Sequence, residues 1–300
     1  MSSFNPLVSI VIPVYNGSDF LGEAIESAIN QTYENIEVLV INDGSNDNSA
    51  TEKICKSYGE KIRYFYKENG GVATALNLGI KKSTAKYFSW LSHDDIYKPH
   101  KIESQIALIK KKPNVKIVCS DFEILNQETQ CTEPRRFKQD EVFKNGRDIL
   151  DNWLDFCTFL IEIDCFKKVG LFDKKLKTIQ DLEMQMRLIS SFSIFTVNEI
   201  LSTRRQHSNQ DSKTKLKFHL KELDQYIINL HDKYGINFFK KEARESLFLT
   251  YLNLGIKTMK MSCQRSSKYF FFKALSKRPF SPKLILLILF GKTGYSLFYN

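Results

Sequence analysis

No Cys-x-x-Cys pair occurs among the six cysteines (Cys55, Cys119, Cys131, Cys157, Cys165 and Cys263), so the sequence indicates neither a zinc site nor a disulfide framework. No G-x-x-x-x-G-K-S/T loop is present, which excludes a P-loop. No G-x-G-x-x-G follows the first apolar segment, which counts against a dinucleotide site. The run Leu284 to Phe290 is seven residues long, far short of the roughly 20 needed to cross a bilayer as a helix. The N-terminus carries no basic region ahead of its apolar stretch and no small-residue cleavage site, so a secretory signal is not expected and the expected compartment is the cytoplasm. Acid is missing altogether from Ser246 to Asn300.

What is present is a chain of 300 residues, 42% hydrophobic, enough for one large domain or a domain with an appendage. The net charge of +10 is unevenly placed: residues 1–210 hold 27 Lys and Arg against 28 Asp and Glu, and residues 211–300 hold 17 against 6. Past Ser246, nine cations alternate with Tyr269, Phe270, Phe271, Phe272 and the Leu284 to Phe290 run. Such a tail suits a negative, partly apolar surface and can lie in a membrane interface without crossing it. Two other readings stay open. It can be a basic helical appendage that packs on a core, or a nucleic-acid binder, although no arginine-glycine or RNA-binding motif accompanies it.

Strand and helix signals alternate through the first half. Leu7 to Val14 is a nearly unbroken apolar strand, after which Ser18 or Asp19 is expected to cap a helix with Leu21, Ala24, Ile25, Ala28 and Ile29 on one face. Further strands are expected at Ile36 to Ile41, Ile62 to Tyr66, Tyr87 to Leu91 and Val115 to Phe122, with helices ending near Lys82 and running from His100 to Lys111. Strands apolar on both faces, alternating with helices, predict an α/β fold with a mainly parallel sheet flanked by helices. Ligands of such sheets bind beyond the carboxyl ends of the strands, where Pro13, Tyr15, Asp43, Asp94 and Asp95 would gather.

Each of those groups suits one part of a nucleotide. Tyr15 offers an aromatic face to a base, Asp43 can accept from a base or ribose donor, and Asp95 can hold a hard divalent cation against a diphosphate. An Asp-Asp pair is by itself as compatible with a turn or a helix start, and Gly70-Gly71 with a plain tight turn. Trp90, ahead of the pair, reads as core.

Three segments carry a resemblance: VSIVIPVYNGSDFLGEAIESAINQTYENIEVLVINDGSNDNS, ENGGVATALNLGI and WLSHDDIYKPHKIESQ. Together they resemble the family-2 glycosyltransferases of the bacterial surface-polysaccharide type, which have a GT-A, Rossmann-like fold. The likeness is specific to about residue 125 and continues more weakly from Cys157 to Gln210, through VGLFDKKLKTIQDLEMQMR and RRQHSNQ. It implies a GT-A catalytic domain over residues 1–210, with a nucleotide-binding half (about 5–125) and an acceptor half (126–210). Residues 211–300 would then form a basic, mainly helical, membrane-associating tail. By the same resemblance Pro13, Tyr15 and Asp43 hold a uridine-type base, Asp94 the ribose, Asp95 the Mn2+ or Mg2+ ion, and Asp181 is the general base; His207 can ligate that ion or touch the diphosphate.

Inverting transfer is one in-line displacement at the anomeric carbon, so it needs a carboxylate to take the acceptor proton and positive charge at the departing diphosphate. A retaining hydrolase would instead set two carboxyls about 5 to 5.5 Å apart, a pairing of Asp94 with Asp181 that spacing alone leaves open. Asp181 can equally cap the helix it begins, and His207 can be an exposed loop residue. Glu183 falls on another face of that helix. Three positions depart from the family pattern: Ser92 in place of an Asp, Leu76 of an Arg and Gln180 of a Glu. The implied activity is inverting transfer from a nucleotide-sugar, UDP-linked by expectation, to a lipid-linked or growing saccharide of capsule or O-antigen. The enzyme would sit peripherally on the inner face of the plasma membrane. A non-catalytic sugar-nucleotide-binding scaffold of the same assembly is the alternative.

Overall fold

The computed structural model describes residues 4–208, 210, 214–279, 281, 284–285 and 287–288. The chain forms two compact units, one of residues 1–144 and 154–210, the other of residues 145–153 and those from 211 onward.

The first unit is built on β1 (Val8–Val14), whose seven residues are all buried, as expected of a strand covered on both faces. β1 pairs in parallel with β2 (Ile36–Asn42) on one side and β4 (Tyr87–Trp90) on the other, and β2 pairs in parallel with β3 (Arg63–Tyr66). Helices α1 (Leu21–Ile29), α2 (Ala50–Ser57) and α3 (Val72–Lys82) connect these strands, α3 leading to β4. The α/β class and the parallel first half are as the apolar pattern predicts. Neither Ser18 nor Asp19 caps α1. The amides of Phe20 and Leu21 instead reach back to the Gly17 carbonyl at 3.3 and 3.1 Å, so a backbone turn replaces the side-chain cap. No α2 is expected from the apolar pattern, because only Thr51 and Cys55 of that helix are buried; Asp47 starts it by accepting from the Thr51 amide and hydroxyl.

Beyond β4 the sheet becomes mixed. Its order is β3-β2-β1-β4-β9-β6-β10-β5, with β5 (Ile96–Tyr97), β6 (Ile117–Asn126), β9 (Leu160–Glu162) and β10 (Ile194–Gln206) making up the second half. β9 runs antiparallel to both β4 and β6, while β6 and β10 are parallel. The short strands β7 (Thr132–Arg135) and β8 (Val142–Phe143) pair at the side with β6 and β10. Helices α4 (Lys101–Lys111), α6 (Asp164–Val169) and α7 (Gln180–Ile189) complete the unit. Strand order reverses between β1 and β4, the position at which open α/β sheets take ligand.

The second unit contains α5 (Gly146–Asn152), α8 (Leu216–Tyr234), α9 (Leu247–Lys260) and α10 (Gln264–Leu275). Helices α9 and α10 form an antiparallel hairpin. Asp224 of α8 caps α10 by accepting from the amides of Arg265 at 2.8 Å and Ser266 at 2.7 Å. No helix among the described residues is long and apolar enough to cross a membrane.

Candidate active site

The carboxyl ends of β1, β2 and β4 meet because their register is continuous. Val14 pairs with Asn42, the Asp43 amide donates to the Val14 carbonyl at 2.8 Å, and the Leu91 amide donates to the Val11 carbonyl at 3.0 Å. Pro13 is the penultimate residue of β1, opposite Ile41, and Tyr15 follows it with its ring half exposed. Asn16 then takes a left-handed φ of 49° and is tied to the β2 loop through Ser45 and Asn46. At Gly17 the absence of a side chain is required, because a Cβ would stand 2.2 Å from the His93 ring. That close approach lays the Ser92-His93 turn against the loop carrying Tyr15.

The structure places Asp43 beside this loop but turns its carboxylate inward. It accepts from Lys67, from the amides of Gly70 at 3.1 Å and Gly71 at 2.7 Å, and from the Thr74 hydroxyl at 3.5 Å. It thereby holds the glycine turn at the head of α3. A ligand donor would have to share oxygens that four protein groups already occupy.

Asp94 and Asp95 are positioned by β5, which pairs antiparallel with β10 so that Thr203 faces Ile96. The next residues of β10 are thereby set beside the carboxylates. The Arg205 amide donates to Asp95 Oδ1 at 2.9 Å, and its Nε to the Asp94 carbonyl at 3.0 Å. The Arg205 guanidinium also lies 4.4 Å over the Phe20 ring and reaches Glu23 at 2.7 Å. Asp94 Oδ2 meets His207 Nε2 at 3.2 Å and Gln210 Nε2 at 3.1 Å. Burial works to raise the Asp94 carboxyl, but neighbouring His93 and the hydrogen bonds from Gln210 and His207 outweigh it and hold it below its usual range.

Asp95 is pushed the other way. Burial, and then the charges of Asp94 and Asp155, lift its carboxyl well above the ordinary value. Asp95, Asp155 and Cys157 form a cluster whose ligand atoms all lie within 4.8 Å of one another. Two crowded carboxylates fit a hard divalent cation, whose charge would relieve the repulsion. Cys157 adds less as a ligand, since burial, Asp95 and Asp155 push its thiol well up. His207 does not join this cluster. It lies past the end of β10, where it meets Asp94 and packs 5.2 Å from the Phe20 ring.

Asp181 is the second residue of α7, partly exposed, and reaches the same region through Arg204. Burial works against the Arg204 charge, but Asp155, Asp95 and Asp181 are among the groups that outweigh it and raise its pKa above the ordinary value. Arg204 also pairs with Asp155 at 3.5 Å. One guanidinium thus feels the carboxylates beside β4 and the carboxylate of α7. Asp155 and Arg204 were not among the residues expected at the site, and only the alternation of side chains along β10, Arg204 to one face and Arg205 to the other, hints at the latter. Trp90 is core, against Phe156 at 5.3 Å and Phe172 at 6.0 Å. Glu183 is committed to Arg187 at 2.6 Å.

The model of the family described as Glycosyl transferase family 2 matches residues 9–166. An uncharacterized glycosyltransferase of Rickettsia prowazekii is 41% identical over 82% of this chain and 76% of its own length. The minor teichoic acid biosynthesis protein GgaB of Bacillus subtilis is 32% identical over 63% of this chain, a span that makes up 21% of that protein. The crystal structure of S. aureus TarS 1-349 in complex with UDP-GlcNAc superposes with a TM-score of 0.60, covering 96% of this chain and 88% of that one at 16% identity, which establishes a shared fold.

Proposed function

The chain belongs to glycosyl transferase family 2, and on that premise we propose that it transfers a sugar, with inversion, from a UDP-linked donor to a saccharide carried on a membrane lipid. The observation that carries this reading is the Asp95, Asp155 and Cys157 cluster, with Asp155 paired to Arg204 at 3.5 Å and Asp181 among the carboxylates whose charge Arg204 feels. A retaining hydrolase has no use for a cation-ready cluster at one end of its reaction axis, whereas transfer from a nucleotide needs one.

The donor's base lies against Tyr15, on a floor made by Pro13 and the glycine turn that Asp43 holds. The ribose hydroxyls meet Asp94, kept ionised by His93, Gln210 and His207 and so able to accept from them. A Mn2+ or Mg2+ ion held by Asp95 and Asp155 would supply charge neutralisation at the diphosphate. Arg204 stands beside the same charge as a fixed donor. Asp181, in the first turn of α7, removes the acceptor hydroxyl's proton as that oxygen attacks the anomeric carbon and the bond from that carbon to the diphosphate breaks.

UDP-GlcNAc in the complex of TarS supports a UDP-linked hexose or N-acetylhexosamine as donor, and the teichoic acid role in GgaB's name supports a surface polysaccharide as product. Peripheral attachment to the inner face of the plasma membrane follows from a lipid-borne acceptor and the basic tail. The test is release of nucleoside diphosphate from a panel of sugar nucleotides, with and without Mn2+ and with a lipid-linked saccharide fraction. Mn2+-dependent release from a UDP-sugar, accelerated by acceptor, is expected. Binding of UDP with no turnover on any donor would reduce the protein to a sugar-nucleotide-binding scaffold.

A further inference from the structure

We propose that the second unit docks on an anionic lipid bilayer through the open end of its α9/α10 hairpin. The proposal rests on the reading of a lipid-borne acceptor for its purpose and on the second unit itself for its place.

Helix α10 returns along α9 after a three-residue connection, Met261 to Cys263, so its C-terminal end comes back beside the start of α9. There the Arg278 guanidinium lies 4.5 Å over the Phe248 ring. Phe248, Arg278, Pro279 and Ser281 line a cleft of about 400 Å³. Around it Leu247, Leu249, Phe272 and Ile285 stand 39%, 47%, 57% and 41% exposed. Four large apolar side chains in water at one end of a two-helix unit are not what its own core requires. The hairpin is already closed, with Phe271 packed where Gly255 lacks a side chain and Ser267 donating to the Gly255 carbonyl at 3.0 Å.

The three consecutive phenylalanines show the sorting. Helical rotation turns Phe270 and Phe271 into the core and the third, Phe272, out to solvent. Toward the C-terminal end of α10 and just past it lie Lys273, Lys277 and Arg278, all exposed. The sequence past Ser246 holds no carboxylate side chain, and the acids set against these cations are Asp232 of α8, which feels Lys273, and Glu242 and Glu245 just ahead of α9. Aromatic and aliphatic tips set among cations, with their stems along the helix, match the boundary between phosphate headgroups and acyl chains. A second copy of this chain would set like charge against like, and a nucleic acid would leave the leucines and Ile285 in water, so a bilayer is the occupant that satisfies both halves of the patch. Each Lys or Arg at such a surface contributes on the order of fivefold in affinity.

The test is sedimentation of the full chain with vesicles of phosphatidylcholine alone and of phosphatidylcholine with about one third phosphatidylglycerol, at low and high salt. Binding to the anionic vesicles only, weakened by salt, is expected. Replacing Leu247, Leu249 and Phe272 together by Glu should lower vesicle affinity at least tenfold, as should Lys273→Glu with Lys277→Glu. Neither change should alter UDP release from a soluble donor. The substituted residues lie outside the core, so circular dichroism and Tm should remain those of the wild type. Leu216→Glu with Phe218→Glu, an equally exposed apolar pair at the start of α8, should leave affinity within twofold and so single out the hairpin end. Undiminished vesicle binding by the triple variant would overturn the proposal. So would self-association lost in the same variant, or tighter binding to single-stranded RNA than to vesicles. Vesicle binding by a wild-type protein without turnover supports the docking face while removing the catalytic reading.

Discussion

Asp94 and Asp95 are adjacent in sequence, yet their carboxyls are pushed in opposite directions, and the difference comes from their partners. Asp94 has His93, His207 and Gln210 to favour its charge, whereas Asp95 has burial and two carboxylates against it, which outweigh the Arg205 amide and the Arg204 guanidinium in its favour. The first is built to accept hydrogen bonds, the second to receive positive charge. Two substitutions separate these roles. Asp155→Asn should raise the Mn2+ concentration required for half-maximal turnover by on the order of 10- to 100-fold, read in a metal titration at saturating donor. An unchanged requirement would remove Asp155 from the cation site. His207→Ala should raise donor KM several-fold with less effect on kcat, because it loosens Asp94 and leaves the cluster around Asp95 intact; a shift in metal requirement instead would return His207 to the cation.

At the scale of elements, the site depends on one short strand pair and one buried network. Lys101 of α4 is fully enclosed, donates to Ser89 and Gln105 at 3.0 Å each, and lies 4.1 Å over the Tyr97 ring. Gln105 in turn donates to the Thr158 carbonyl at 2.7 Å, so α4 ties β4 to the turn that carries Cys157. Burial lowers the Lys101 pKa from 10.5 to about 7. The unfolded chain keeps that proton up to about pH 10.5 while the folded protein releases it near 7, so between those values protons favour unfolding and stability rises with pH. Urea unfolding between pH 7 and 8.5 should show a slope more positive in the wild type than in Lys101→Met, by about 1 kcal/mol per pH unit. The comparison isolates Lys101 from the buried thiols such as Cys119, whose raised pKa withdraws stability as pH climbs past their ordinary value of 9.0. Equal slopes would mean that Lys101 stays charged. The parallel half of the sheet was legible because β1, β2 and β4 are continuous apolar runs. The pairing of β5 with β10 was not, since Ile96-Tyr97 is two residues long and its partner is about 100 positions away. That pairing sets the Arg204-Arg205 end of β10 beside Asp94 and Asp95, which is why Arg204 escaped a reading by motif. Asp155 escaped for a related reason: it begins a single 3-10 turn and has no periodic context.

For the whole molecule, the charge imbalance visible in the sequence coincides with an architectural one. The basic second unit is helical and lies almost wholly outside the residues that match the family, 9–166, apart from α5. Helix α5 is an intrusion of that unit into the middle of the catalytic sequence, and it leads within three residues to Asp155. Its Ile149 and Leu150 are buried, and Gly146 gives way to the Phe238 ring, which a Cβ would meet at 2.3 Å. A chain cut after residue 210 would therefore keep α5 and lose its cover. Such a truncation should be poorly soluble or melt several degrees below the full chain, and Ile149→Glu with Leu150→Glu should recover solubility in the truncated chain while destabilising the full one. A truncated chain as stable as the intact protein would contradict the two-unit division.

Asp181 as the base is tested by following donor binding and sugar transfer in one preparation of Asp181→Asn. Donor Kd within twofold of the wild type, with transfer reduced by about two to four orders of magnitude, is the expected result. Transfer within tenfold of the wild type would contradict that role and place the base on another residue.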